Sequence, residues 1–391
     1  MQTGTPEVIS RERSSMRKPL RLLLVSNYPP DKQESMLRFA GILEGFQTRG
    51  FQVQRIQPEQ RVRARFRPDS RMAKWAGYVD KYLLFPPRLK RVSKEYDVAH
   101  ICDHSNAPYH RAIKSRAIVA TCHDLLAVRG ALGESTFCPA SSMGKRLQAS
   151  ILDGLSKIPH VACDSDATRA DFSRLTGRPP GRTLRTILLG FSGVFRSPPA
   201  QETQQQLQAL GVHDAPYVLH VGSSQERKNR EGILKAMALL GSRWTGNIVF
   251  AGEMLRPHQR ELARSLGLES RVRELGNLSD EALCAVYAGA HALLFPSWCE
   301  GFGWPILEGQ ACGCPVVTAD NTSLAEVAGD GAIIVAGNNT EGIAAAVLKV
   351  EEAGFRRQLI GRGTSNLDRF RMADMLDHYE RMYMEALEDA A

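Results

Sequence analysis

No window of this 391-residue chain approaches the ~18 consecutive apolar residues that a membrane-spanning helix needs. Its longest apolar runs, such as Leu22 to Val25 and Gly331 to Gly337, are strand-sized. The eight cysteines include no Cys-x-x-Cys pair, and Cys312-x-Cys314 has no second ligand pair beside it, so no structural zinc site and no resident metal are expected. No Gly-x-Gly-x-x-Gly follows the first apolar run. Pro29-Pro30 stands there instead, which argues against a dinucleotide-dependent dehydrogenase. Residues 1–19 are polar and lack an apolar signal core, so we expect a flexible tail, reduced thiols and a cytoplasmic chain. With 43% hydrophobic and 24% charged residues, the composition excludes a wholly disordered chain.

What is present is an alternation of strands and helices. Leu20 to Ser26, with the apolar run Leu22 to Val25 at its centre, reads as a strand buried on both faces of a parallel sheet. Met36, Phe39, Ala40, Leu43 and Phe46 follow at helical spacing, ending near Gly50. Further strands are expected at Phe51 to Ile56, Asp97 to Cys102, Ala117 to Cys122 and His160 to Asp164. After a Gly- and Pro-punctuated stretch, Leu188 to Pro199, a second set begins: Tyr217 to Val221, Asn247 to Ala251, Val272 to Leu275, Ala292 to Pro296, Pro315 to Thr318 and Ala332 to Val335. This predicts an α/β protein with two doubly wound, Rossmann-like domains facing across a cleft, one over 20–193 and one over 194–369. A last helix, about 370–391, is expected to pack back on the first domain.

Charge is uneven. Residues 55–94 carry twelve Lys and Arg against Glu59, Asp69 and Asp80, a local +9 in a chain whose net charge is +8. Met72, Trp75, Ala76, Val79, Tyr82 and Leu83 recur there at helical spacing. The stripe either packs into its own domain or lies, with its cations, on an anionic membrane surface.

The richest stretch runs from Phe295 to Pro315. Gly301 and Gly303 allow close backbone approach, Pro305 suits a helix's first turn, and that helix start points N–H groups at an anion. Glu300 and Glu308 flank it and can each accept hydroxyl hydrogen bonds. An anion between two polyol groups describes a nucleotide-sugar. Upstream, a strand ending at Gly222 leads into Ser223-Ser224-Gln225-Glu226-Arg227-Lys228-Asn229.

The Glu-Gly-Phe-Gly-x-Pro-x-x-Glu frame, with Gly313-Cys314-Pro315-Val316-Val317 after it, resembles the retaining glycosyltransferases of family 4, which have the GT-B fold. The resemblance implies that Glu300 contacts donor-sugar hydroxyls and Glu308 the ribose. Arg227 and Lys228, about 75 residues before Glu300, would clamp the diphosphate. Gly222, Ser223, Asn229, Gly252, Asn277, Leu278, Gly301, Phe302, Gly303 and Trp304 complete the implied donor site. The catalytic set is Glu300, His123, Arg227 and Lys228, with His123 reaching toward the sugar; His104, Ser105 and Asp124 lie on the acceptor side. The family's Gly-Gly pair in the first strand–helix loop is missing; Asn27 to Ser35 stands there, with Lys32 or Ser35 as substitutes. Asp164-Ser165-Asp166 imitates a metal-binding Asp-x-Asp but reads better as a helix cap.

The implied function is transfer of a sugar from a GDP- or UDP-sugar, GDP-mannose first, to a glycan or lipid-linked acceptor. The His104-Ser105 and Arg227-Lys228-Asn229 patches resemble bacterial polysaccharide mannosyltransferases. No cofactor is called for. Two rivals are a GT-B epimerase, against which the paired glutamates speak, and a nucleic-acid-binding protein, for which residues 55–94 offer no recognisable module.

Overall fold

The computed structural model describes residues 19–191 and 193–391. All but the last residue of the expected tail lies outside them. The first parallel sheet contains β1 (Arg21–Val25), β2 (Gln52–Ile56), β3 (Val98–Ile101), β4 (Ala117–Cys122), β5 (His160–Cys163) and β6 (Leu184–Thr186), in the order β2-β1-β3-β4-β5-β6. The second contains β7 (Tyr217–Gly222), β8 (Asn247–Gly252), β9 (Val272–Gly276), β10 (Ala292–Phe295), β11 (Val316–Ala319) and β12 (Ala332–Val335), in the order β12-β11-β10-β7-β8-β9. Every strand expected from the sequence is there; β6 is the addition. It is three residues long and carries no apolar run to announce it.

Leu22 to Val25 are fully buried, as a strand covered on both faces requires. Around the second sheet, Ile233, Leu234, Met237, Ile248, Phe250, Leu294 and Val347 form one core cluster. Burying each such side chain contributes about 1.5–3 kcal/mol.

Contacts divide the chain into two compact units. One holds the described residues through Thr121 with Asp153–His160 and Glu380–Ala391; the other holds Cys122–Leu152 and Val161–Tyr379. The last helix, Met372–Asp389, ends in the first unit. There the Tyr383 hydroxyl lies 2.7 Å from His100 Nδ1, and Thr121 Oγ1 lies 2.8 Å from His100 Nε2.

In each sheet the strand order reverses beside the first strand of the set, between β1 and β3 and between β7 and β10. Ligands of open α/β sheets bind outside the carboxyl ends of the strands at such a reversal. At the β7–β10 reversal the following loops are Ser223–Asn229 and Pro296–Gly303.

Residues 72–85 differ from the single helix suggested by their periodicity. A helix Arg71–Val79, capped by Ser70 accepting the Ala73 N–H, runs into a π turn at Asp80–Leu84 and then a helix Phe85–Val92. Pro86 and Pro87 supply the reason: they have no N–H to give to the preceding turn, and a proline ring clashes with the carbonyl four residues back. The turn widens, and the Phe85 N–H reaches Asp80 instead.

Candidate active site

The Glu300 loop is shaped by close approaches. Gly303 has φ 115° and precedes the helix Trp304–Ala311, with Pro305 in its first turn as the sequence suggests. A Cβ at Gly301 would collide with the His123 carbonyl, so only glycine lets this loop meet the His123–Asp124 loop. Thr322, itself at φ 53°, accepts the Glu300 N–H at 3.1 Å, and the Ser323 hydroxyl bridges the Glu300 and Phe302 carbonyls at 3.1 and 3.0 Å.

Glu300 sits inside an ion triad. Its Oε2 is 2.5 Å from Arg227 Nη1 and its Oε1 2.6 Å from Lys228 Nζ. Arg227 also donates to the Cys299 carbonyl at 3.2 Å, and Lys228 Nζ lies 4.8 Å from the Phe295 ring centre. Glu300 and Lys228 are both only 9% exposed. Burial works against ionisation of Glu300, but Lys228 and then Arg227 outweigh it and hold the carboxyl below the usual carboxylate range. Burial lowers Lys228, and Glu300 only partly restores it. Burial opposes the Arg227 charge too, but there Glu300 prevails. Two cations share one carboxylate at bonding distance, with Asp124 acting on Arg227 from farther off, so the triad itself carries a positive charge in a shielded place that suits an anion.

Glu308 is separate. On the helix Trp304–Ala311, buried, it accepts the Tyr287 hydroxyl at 2.8 Å. Burial and then the Glu308 charge push the Tyr287 hydroxyl well above its ordinary pKa.

At the ends of β7 and β8, Gly222 pairs with Gly252, at φ 140° and 102°. A Cβ on Gly252 would stand 2.6 Å from the Gly222 carbonyl. Buried Arg230 ties this corner, donating to the Gly222 and Glu253 carbonyls at 2.7 Å each, while Glu253 takes the Ser224 N–H at 2.9 Å. Burial brings the Arg230 pKa down to about 10. Ser223 is half-buried beside them. Asn229 is a brace: at φ 53° it accepts the Gly232 N–H and donates to the Pro296 and Gly337 carbonyls at 3.0 and 2.9 Å.

Asn277 is exposed and Leu278 half-buried ahead of Ser279, which caps the next helix by accepting the Ala282 N–H. Phe302 is buried against Trp304 (5.3 Å) and Phe370 (5.9 Å).

His123, at the end of β4, has its Nδ1 3.0 Å from Asp164 Oδ2 at the end of β5, and both side chains are buried. A carboxylate at Nδ1 selects the tautomer protonated there and fixes the ring. Ser165 caps the helix Asp166–Thr176, and its hydroxyl meets the Gly301 carbonyl at 3.2 Å. Thus the Asp164-Ser165-Asp166 trio orients a histidine and starts a helix. Asp124 accepts the Leu126 N–H at 2.9 Å.

In the first unit, buried Asp103 accepts the Ser105 N–H at 3.0 Å and hydroxyl at 2.7 Å, lies 3.0 Å from His104 Nδ1, and also takes the Asn27 amide. Lys32 and Ser35 are exposed, Lys32 at φ 54°.

Sequence reasoning missed Thr322, Ser323, Arg230 and the partnership of Asp164 with His123. Only a left-handed turn before a helix hinted at the first pair, and nothing local signals the others.

Comparison with known proteins adds the family. Residues 202–365 match the glycosyl transferases group 1. The chain is 31% identical to O-antigen chain mannosyltransferase B of Escherichia coli over 231 residues, 57% of this chain and 60% of that one. It is 28% identical to D-inositol 3-phosphate glycosyltransferase of Rhodococcus erythropolis, over 69% of this chain and 62% of that one. The chain thus spans about three fifths of these two relatives. Among solved structures, sucrose-phosphate synthase from Thermosynechococcus elongatus superposes with TM-score 0.74 at 18% identity, covering 94% of this chain and 98% of that one. HepE of Anabaena, in complex with UDP and glucose, gives 0.70 at 16% identity, covering 93% and 98%. Residues 202–365 are a domain of the glycosyl transferases group 1 family, and the chain has the GT-B fold.

Proposed function

We propose that this chain is a retaining glycosyltransferase that moves a hexose from a nucleotide-sugar to a hydroxyl of a glycan or lipid-linked acceptor, in polysaccharide or glycolipid synthesis. GDP-mannose is the first choice of donor; the mannosyltransferase among its relatives supports that choice. The observation that carries the reading is the Arg227–Lys228–Glu300 triad with its surplus positive charge, at the end of β10 and before a glycine-led helix.

In this reading the donor diphosphate takes the surplus charge. Glu300 holds sugar hydroxyls, Glu308 the ribose, and His123, fixed by Asp164, faces the sugar. The bond from the anomeric carbon to the phosphate breaks, and Arg227 and Lys228 stabilise the charge left on the diphosphate without a metal ion. The departing phosphate oxygen takes the acceptor's hydroxyl proton, and the new bond forms on the face just vacated, so configuration is kept. A lipid-linked acceptor would place the enzyme on the inner face of the membrane as a peripheral, cytoplasmic protein.

The test is a thermal-shift series with GDP, UDP and their sugars, followed by NMR of the product's anomeric configuration. A true donor at 100 times its Kd stabilises by about 2.7 kcal/mol. No shift with any nucleoside diphosphate, or an inverted product, would overturn the reading.

A further inference from the structure

The helix Arg71–Val79 packs inward with its small side. Ala73, Ala76 and Gly77 are buried, and a Cβ at Gly77 would sit 3.4 Å from the Tyr28 ring. The large apolar side faces outward: Met72 is 58% exposed, Trp75 61% and Leu83 67%, with Tyr82 and Leu84 beside them. The widened turn before Pro86 is what sets Leu83 and Leu84 out. Trp75, Tyr78 and Tyr82 form a ladder with ring centres 5.8 and 6.0 Å apart, and Lys81 lies against two of its rungs. A soluble surface rarely gathers this many large apolar groups without a partner.

The surroundings say which partner. Arg65, Arg67, Arg71 and Lys74 are exposed around the apolar face. A cavity of 280 Å³ that shares Leu84 with it is lined by Arg61, Arg88, Arg91, Glu59, Asp80 and Pro87. Glu59 pairs with Arg61 at 3.1 Å and with Arg88, while Asp80 is taken up by the Tyr28 hydroxyl and the Val62 and Arg63 N–H groups. Arginine beside exposed Leu84 suits an anionic head on an apolar tail.

We propose that this face docks on an anionic lipid bilayer, with Trp75, Met72, Leu83 and Leu84 entering the acyl boundary and the arginine-lined cavity taking a lipid phosphate. Among the described residues no helix is long and apolar enough to cross a membrane. The proposal deepens the transferase reading by giving a lipid-linked acceptor its place, and rests on that reading only there.

The test is co-sedimentation of the full chain with vesicles of phosphatidylglycerol and phosphatidylcholine, and of phosphatidylcholine alone, over a salt series. Binding is expected with the anionic vesicles only, weakening as salt rises. Arg61→Gln and Arg91→Gln should each weaken it about fivefold and flatten the salt dependence. Trp75→Ser with Leu83→Ser should abolish it while keeping the thermal shift with a nucleoside diphosphate. All four side chains are exposed, so folding is spared. Protein left in the supernatant with anionic vesicles at low salt overturns the proposal, as does equal binding to neutral vesicles. It also fails if the chain dimerises and the double serine variant abolishes the dimer, which would make the face a protein interface. Vesicle binding without any nucleotide shift in the parent chain would sink the transferase reading and leave the docking face standing.

Discussion

Two buried carboxylates, Asp80 and Glu300, are both kept ionised, but by different means. Asp80 is 1% exposed and accepts the Tyr28 hydroxyl at 2.8 Å and the Val62 and Arg63 N–H groups at 2.8 and 3.1 Å. Burial raises its pKa, but those backbone donors and then Tyr28 outweigh it, so it lies below the usual range. Glu300 is held instead by two full charges. Dipoles of the fold satisfy Asp80 and leave nothing over. The Glu300 triad is left with a cation to spare. A buried carboxylate answered by dipoles is a brace; one over-answered by cations marks a ligand site.

The comparison breaks most sharply at the cations. Arg227→Ala and Lys228→Ala should each cost roughly 10- to 150-fold in catalysis, since a hydrogen bond to a charged group contributes about 1.5–3 kcal/mol. Full activity in either would remove the diphosphate clamp.

Next come the two glutamates. On the proposed reading, Glu300→Ala should mainly lower kcat, because there it would act on the sugar as positive charge develops, and Glu308→Ala should mainly raise the donor KM. Identical kinetic signatures would deny them separate roles.

Asp80→Asn should reverse the pattern. Urea unfolding should show a loss of about 1–3 kcal/mol, while donor affinity stays at the parent value. A weakened donor KM without lost stability would put Asp80 at the site.

The smallest effect is on pH dependence. Both carboxyls are depressed in the folded state, so each contributes stability that is present above the unfolded carboxylate pKa of about 4 and lost as pH falls through the folded value. Asp80→Asn should therefore flatten the acid limb of a stability–pH curve, and an unchanged limb would mean that Asp80 is not held ionised by its donors.

The candidate residues were legible in place because they stand in recognisable local frames: Arg227-Lys228 after a strand, and Glu300 and Glu308 around a glycine loop and Pro305. Asn229 was legible in place but not in role, since its carbonyl partners at Pro296 and Gly337 lie 67 and 108 residues away.

By itself the sequence determined every strand but β6, from runs of apolar residues, and the cap at Ser165, whose partner is three residues on. It also supplied the charges of the Arg227–Lys228–Glu300 triad. Only the tertiary structure decided that Asp164 holds His123, because the strand order sets β4 beside β5 across 41 residues. It alone decided which side of the Arg71–Val79 helix faces out. Periodicity places Met72, Trp75, Ala76, Val79, Tyr82 and Leu83 on one stripe, but Ala76 is buried with Ala73 and Gly77, Gly77 lying against the Tyr28 ring, while Met72, Trp75 and Leu83 face the solvent.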